Sequence, residues 1–130
     1  MNTFKKEERL CSKKLLAKLF SNGSSFLVYP FRIVSAPETL TVKFPAQVVI
    51  AVSKRNFRHA VDRNLIKRRI REAYRLNKAE YLYSFLGEKQ LNLIFSIHYI
   101  GKDIAEYPFI EKKLKQALKK LTDSYSNESN

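Results

Sequence analysis

Apolar residues recur along the chain at spacings that change from helical to extended and back. Near the N-terminus, the spacing predicts a first helix that Ser12 caps and that ends at Asn22-Gly23 in the manner of a left-handed C-cap. Its apolar stripe consists of Leu15, Leu16, Leu19 and Phe20. This stripe gives the first helix one face that must pack on another element.

Four extended segments follow from the same pattern. Residues 26–35 are rich in aromatic and β-branched residues and predict a strand, with Phe31 and Ile33 on one face and Arg32 and Val34 on the other. Residues 40–44 are expected to form a second short strand. Residues 46–52 are a nearly continuous apolar run, typical of a buried strand, and residues 91–100 are the clearest strand of all.

Two further helices complete the predicted order. One begins between Asn56 and Arg63 and ends near Leu76 or Lys78, and residues 81–90 connect it to the last strand. The other follows Tyr107-Pro108, with apolar positions Ile110, Leu114, Ala117, Leu118 and Leu121. The order helix, three strands, helix, strand, helix predicts one α/β domain over residues 1–121, with helices packed on a sheet. Residues 122–130 are polar and are expected to be a disordered tail.

The helix predicted after residue 56 is strongly cationic. Between Lys54 and Lys78 there are ten Lys and Arg residues and two acids, Asp62 and Glu72. At roughly 100° per residue, one arc of this helix collects the polar side chains of Arg63, Asn64, Lys67, Arg68, Arg71 and Arg75. The opposite arc carries Leu65, Ile66, Ile70, Ala73 and Leu76, so the helix is expected to bury that arc and expose its charges.

Composition extends this picture to the whole chain. The 130 residues carry a formal charge of +13, which favours nucleic acid over other partner classes. No apolar segment is long enough to span a membrane, and the start of the chain lacks the apolar run of a signal peptide. The single Cys11 excludes an internal disulfide and favours a reducing, cytoplasmic setting.

The cationic arc is unfavourable unless something binds it. Like charges at i,i+4 destabilise a helix by roughly 0.2–0.5 kcal/mol per pair, and Arg63, Lys67, Arg71 and Arg75 form three such pairs. Glu72 can relieve Arg68 and Arg75 only in part. A solvated basic face remains the simpler interpretation for any one of these residues, but five aligned cations favour a polyanion-binding face. For the neighbouring His59, a neutral hydrogen-bonding role is favoured over a protonation switch.

The residues of this segment resemble a family signature. The sequence Ala51-Val52-Ser53-Lys54-Arg55 is followed by Ala60-Val61-x-Arg63-Asn64-x-x-Lys67-Arg68-x-x-Arg71-Glu72-x-Tyr74-Arg75. This order is similar to that of the protein component of bacterial ribonuclease P, and Phe4, Arg9-Leu10, Phe20 and Gly23 fit the family's N-terminal region. The resemblance covers residues 4–121.

The resemblance implies a fold, a function and a role for metal ions. It implies a ribosomal protein S5 domain 2-like fold, an α+β two-layer sandwich in the order α-β-β-β-α-β-α with a left-handed βαβ crossover. It implies a subunit that binds a catalytic RNA and precursor tRNA and assists removal of the 5′ leader. Cleavage would use Mg²⁺ held mainly by the RNA, so no catalytic or metal-binding residue is expected in the protein, which is expected to be a monomer inactive on its own.

The resemblance also implies two sites. The first is the RNA-binding set on the basic helix and its lead-in, where the residues that match the family position by position are Lys54, Arg63, Asn64, Lys67, Arg68, Arg71 and Arg75. The lead-in adds Arg55, Arg58 and His59 to the set, although Arg58-His59 stands where the family has a small Gly-containing step. The second is a cleft for the single-stranded leader between the sheet and the first helix, where Phe20 would stack on bases and Arg32 would add charge. Phe20 fits the apolar stripe of the first helix equally well. Leu16 and Val34 stand where the family more often has aromatics, so the cleft is expected to depend more on charge.

Three other functions fit the sequence less well. A ribosomal-type structural RNA-binding protein would have the same composition, and only the Arg63–Arg75 pattern argues against it. A stand-alone nuclease would need clustered carboxylates, which the sequence does not offer. A sequence-specific DNA reader is disfavoured, since the basic helix offers one amide among phosphate-type contacts.

Overall fold

The computed structural model describes residues 3–126. A short 3-10 turn, Lys6–Glu8, precedes the regular elements. These are α1 Lys13–Asn22, β1 Ser24–Val28, β2 Phe31–Pro37, β3 Ala46–Val52, α2 Ala60–Lys78, a π-helical turn Ala79–Tyr83, α3 Ser84–Lys89, β4 Leu93–Tyr99 and α4 Tyr107–Ser126.

Four strands form one sheet in the order β1-β2-β4-β3. The pairs β1–β2 and β2–β4 are antiparallel, whereas β3 and β4 are parallel and are joined through α2. The mixed α/β architecture and the βαβ unit agree with the predicted ribosomal protein S5 domain 2-like fold. The left hand of that crossover stays a prediction.

The two faces of the sheet are covered differently. On one face, alternate residues such as Ile33, Phe95 and Val48 form the main core with α2 and α4. On the other face, α1 packs over a smaller cluster that includes Leu19, Ala36 and Ile94. The helix α1 therefore adds a partial third layer to the predicted two-layer sandwich. The rest of that face of the sheet stays open.

Two expectations for the strands were wrong. The predicted single strand over residues 26–35 is a hairpin, because Tyr29-Pro30 forms a turn between β1 and β2. Residues 41–45 are a run of bends, and residues 40–44 form no strand. Pro37 and Pro45 flank that segment, and a proline has no amide to donate to a neighbouring strand.

The predicted ends of two helices were also wrong. Gly23 ends α1 with φ −75°, so its backbone is extended and not left-handed. Glycine is required there by space: a Cβ would lie 2.4 Å from the carbonyl oxygen of Leu19 and 2.7 Å from Cγ1 of Val34. At the other end of the chain, residues 122–126 continue α4 and are not a disordered tail, and residues 127–130 lie outside the described part.

Candidate nucleic-acid interface

The helix α2 begins directly after a short lead-in, residues 53–59, that follows β3. Asn56 holds this lead-in against the end of β4, because its Nδ2 donates to the carbonyl oxygens of Ile100 at 3.3 Å and Gly101 at 3.4 Å. The ring of Phe57 is buried in the core. The lead-in is thereby fixed while Lys54, Arg55, Arg58 and His59 remain exposed.

The predicted orientation of α2 is confirmed for most positions. Ile66, Ile70 and Ala73 are fully buried, and so is Tyr74. Leu76 is 41% exposed, because the buried arc is shifted toward Tyr74 and Lys78. On the accessible side of α2, Arg71 lies beside Val49 and Ile50 of the edge strand β3.

The cationic arc is now defined as the polar side chains of α2 with their lead-in: Lys54, Arg55, Arg58, His59, Arg63, Asn64, Lys67, Arg68, Arg71 and Arg75. Of its α2 members, Asn64, Arg68 and Arg71 are exposed, and Arg63, Lys67 and Arg75 are half-buried. Every member of the predicted RNA-binding set is therefore at least partly accessible on α2 or its lead-in.

Two arginines of the cationic arc also serve the protein itself. Nη1 of Arg63 donates to the carbonyl oxygens of Phe57 at 2.8 Å and Arg58 at 2.9 Å, so this side chain braces the lead-in. Arg75 pairs with Glu72 at 2.7 Å, as expected. The hydrogen bond from Arg75 lowers the pKa of the Glu72 carboxyl. The other cations of the arc form no ion pair with any carboxylate of residues 3–126.

A groove connects the cationic arc with the N-terminal segment. It encloses about 190 Å³ and is lined in part by Arg71, Arg9, Phe4 and Val49. Arg9 is exposed, and its guanidinium carbon lies 5.6 Å from the centre of the Phe4 ring. In the sequence, Arg9 was noted only because it fits the family's N-terminal region. Its position beside the groove makes it a further candidate for contact with nucleic acid.

The open face of the sheet lies beside α1. The strand register places Leu27, Arg32, His98 and Ala51 in one row across all four strands. Arg32 and Leu27 are exposed, and no residue of this row belongs to the cluster that packs under α1. This is the surface that corresponds to the predicted leader cleft, and it is defined here as the row together with Phe20.

Phe20 does not join the apolar stripe of α1. Its side chain is 61% exposed, whereas Leu19 is fully buried and Leu15 and Leu16 pack beside it. Leu16 and Val34, the two departures from the family's aromatics, lie in the same small cluster and support α1 on the sheet. The exposed ring is available for stacking on a base.

His98 is a cleft residue that the sequence did not single out. Burial, together with the neighbouring charge of Arg32, lowers the pKa of its imidazole, so the neutral ring is favoured. The alternation of β4 places His98 on the same face as Arg32, and this signal could have identified it.

Some classes of site are absent from the described residues. Within residues 3–126, no group of three or more His, Cys, Asp or Glu side chains is arranged to hold a metal ion. None of the helices in the same range is long and apolar enough to cross a bilayer.

Known proteins resemble this chain in both sequence and structure. The family model for ribonuclease P matches residues 4–122. The ribonuclease P protein component of Porphyromonas gingivalis is 32% identical over 113 residues, covering 87% of this chain and 82% of the relative. That of Petrotoga mobilis is 39% identical over 97 residues, covering 72% and 79%.

The fold agrees with solved structures of the same family. The ribonuclease P protein of Staphylococcus aureus superposes with a TM-score of 0.69 at 21% identity, over 88% of this chain and 94% of that one. The protein of Thermotoga maritima gives 0.68 at 20% identity, over 87% and 96%. With the sequence signature on the cationic arc and the family match over nearly its whole length, this chain belongs to the ribonuclease P protein family and is the protein component of an endoribonuclease that processes tRNA together with an RNA subunit.

Proposed function

We propose that the cationic arc is the surface that binds the RNA subunit, next to the site of cleavage. The observation that carries this proposal is the exposure of Arg68 and Arg71 without any ion pair in residues 3–126. A helix that served stability alone would place acids beside them. Phosphate groups of RNA supply the missing negative charge.

The members of the arc have different chemistry toward RNA. Arg68 and Arg71 present planar forks that suit two phosphate oxygens, whereas Lys54 and Lys67 supply point charges. The amide of Asn64 can both donate and accept, so it suits a ribose hydroxyl or a base edge. Arg63 contributes chiefly by holding the lead-in in place.

We further propose that the 5′ leader of precursor tRNA occupies the leader cleft. Phe20 offers a stacking surface, and Arg32 offers charge to the backbone. The neutral imidazole of His98 can donate or accept one hydrogen bond beside them. Because Leu16 and Val34 are aliphatic, the cleft offers few rings and should show little preference for leader sequence.

The protein's own donors do not fit a metal centre of clustered carboxylates within residues 3–126. We therefore propose that the Mg²⁺ of the reaction is held mainly by the RNA subunit, where it supplies an activated water. The protein's part is to bind, orient and neutralise phosphates, and one copy of the chain suffices for that.

Reconstitution tests this proposal. Purified protein, the matching RNA subunit and a precursor tRNA are combined at low Mg²⁺, with each component also tested alone. We expect leader cleavage at the mature 5′ end only when the RNA subunit is present, and a faster reaction when the protein is added. Cleavage by RNA-free protein would contradict the proposal, and so would an RNA reaction that the protein leaves unchanged.

Sedimentation of the protein before mixing checks its state. We expect the mass of one 15.2 kDa chain at micromolar concentration. A stable dimer would contradict the proposed monomer and leave the RNA assignment intact.

A further inference from the structure

The outward surface of α4 is a second cationic face. The buried side chains of α4, such as Ile110, lie on one side of the helix. With Ile110 set at 0° around the helix axis, the lysines lie on the opposite side, at roughly 140° to 300°. These are Lys112, Lys113, Lys115, Lys119 and Lys120. One acid, Asp123, shares this side, so the face carries a large positive excess.

These lysines are not used in ion pairs with the described part of the chain. Residues 3–126 contain three ion pairs, and none involves a lysine of α4. The acid that precedes them on the helix, Glu111, is turned away and accepts a hydrogen bond from Asn77 of α2 at 2.9 Å. The like charges at Lys115 and Lys119, spaced i,i+4, therefore destabilise the free helix.

Aromatic rings hold three of these lysines in place. The Nζ of Lys113 lies 5.7 Å from the ring centre of Phe109, that of Lys115 lies 5.8 Å from Tyr81, and that of Lys120 lies 5.2 Å from Phe26. Such contacts restrict a long side chain before any ligand arrives, which lowers the entropy lost on binding. The outward face of α4 with these rings is defined as the α4 lysine face.

The α4 lysine face is separate from the cationic arc. The side of α2 that contacts α4 carries Ala73 and Asn77, whereas Arg71 points into the groove beside β3. The chemistry differs as well, since most cations of the arc are Arg and all cations of the α4 face are Lys. Point charges on flexible stems suit a phosphate backbone and carry little base specificity.

Two other occupants fit this face poorly. An amphipathic helix binds a membrane by inserting its apolar side, but the apolar side of α4 is fully buried at Ile110, Leu114 and Leu118. Protein interfaces are depleted in lysine, whereas five lysines dominate this face. A duplex or folded RNA, in contrast, carries several phosphates over the roughly 10 Å of helix axis between Lys112 and Lys119.

We propose that the α4 lysine face is a second, sequence-independent RNA-docking surface and that its occupant is the phosphate backbone of the RNA subunit. The leader cleft lies on the α1 face of the sheet, whereas α2 and α4 lie together on the opposite face. An RNA held at the cationic arc can reach α4 along the same face of the sheet, whereas a leader in the cleft lies on the other face. This inference rests on the proposed function of the arc.

The test compares two variants that each lose two positive charges. Lys112→Gln/Lys119→Gln removes the centre of the α4 lysine face, and Lys6→Gln/Lys43→Gln removes two exposed lysines elsewhere. Binding of the full chain to the RNA subunit is measured from 50 to 200 mM salt. We expect the α4 variant to bind roughly tenfold more weakly at low salt, with a salt slope smaller by about 1 for each lysine. The matched control should bind within about twofold of the wild type.

A second measurement locates the contact. Gln116 lies among the lysines, and Gln116→Cys in a Cys11→Ser background carries an iron chelate that cleaves nearby RNA. We expect strand breaks in the RNA subunit and none in bound precursor tRNA. Breaks confined to precursor tRNA, or an α4 variant that binds like the control, would overturn the proposal.

A further variant distinguishes a failure of the α4 proposal from a failure of the proposed function of the cationic arc. Arg68→Gln/Arg71→Gln is measured in parallel. If that variant loses affinity and the α4 variant does not, only the α4 lysine face is wrong. If neither loses affinity, the cationic arc is wrong too.

Discussion

At the scale of single residues, Glu8 shows how a carboxylate is kept charged in the interior. It is fully buried and forms an ion pair with Lys78, which is also buried, and it accepts hydrogen bonds from Tyr83 and from the backbone amide of Lys5. Burial by itself raises the pKa of this carboxyl, but these hydrogen bonds outweigh it and the pKa lies below the usual 4.5. The pair fastens the N-terminal segment to the end of α2.

Replacing Glu8 by Gln leaves Lys78 buried and unpaired, and this typically costs about 3–5 kcal/mol. Because the folded pKa is depressed, the stabilisation by Glu8 is complete above its unfolded pKa and is lost as the pH falls through the folded value. The difference in unfolding free energy between wild type and Glu8→Gln should therefore be full at pH 7 and shrink below pH 4.5. Urea unfolding at several pH values measures it.

The neighbouring Glu7 is the matched control, since it is exposed. Glu7→Gln should change the unfolding free energy by less than about 0.5 kcal/mol. A difference for Glu8→Gln that does not vary with pH would show that the carboxylate charge plays no part.

At the scale of elements, α2 combines a buried arc with a surface that repels itself. The sequence placed most positions of both arcs correctly, with Leu76 the exception. The ion pair with Glu72 relieves only Arg75. The residual repulsion among Lys67, Arg68 and Arg71 disappears when phosphate binds. Binding to the arc should accordingly be strongly dependent on salt.

Arg68→Gln/Arg71→Gln should weaken binding to the RNA subunit and reduce the salt slope by about 2, since each cation that contacts a phosphate contributes about 1. Both side chains are exposed, so the fold should be unchanged. Equilibrium binding over a salt series measures the slope, with Lys6→Gln/Lys43→Gln again as the control of equal charge. A slope equal to that of the wild type would remove these two residues from the interface.

At the scale of the whole molecule, the last turn of α4 closes the domain. Tyr125 is 8% exposed, and its hydroxyl lies 3.0 Å from Oγ of Ser35 at the centre of β2. This contact joins residues 90 positions apart and covers the main core. The domain therefore extends at least to Ser126, five residues beyond the predicted boundary.

Tyr125→Ala removes this closure and leaves a cavity, so it should lower the unfolding free energy by about 3–5 kcal/mol. Asp123→Ala lies on the same turn but on its exposed side and should cost less than about 0.5 kcal/mol. Thermal or urea unfolding measures both. Equal midpoints for the two variants would mean that the polar segment does not pack, as the sequence had suggested.

Local composition was enough to predict most of the elements and the cationic arc. Residues 46–52 and the start of α1 at Ser12 are as expected, because apolar periodicity and capping chemistry act within a few residues. The arc on α2 followed from spacing alone, since the six positions of one helix fix their own relative directions. The family signature on that helix then predicted the RNA partner.

Only the tertiary structure decided which surfaces stay open. Gly23 is required by the close approach of Val34. Phe20 is exposed because α1 packs on the sheet through Leu19, and Tyr125 is buried because β2 lies beneath it. The row from Leu27 to Ala51 exists only once four strands are in register. Each of these depends on segments distant in sequence, and the free energy of packing them together cannot be read from local patterns.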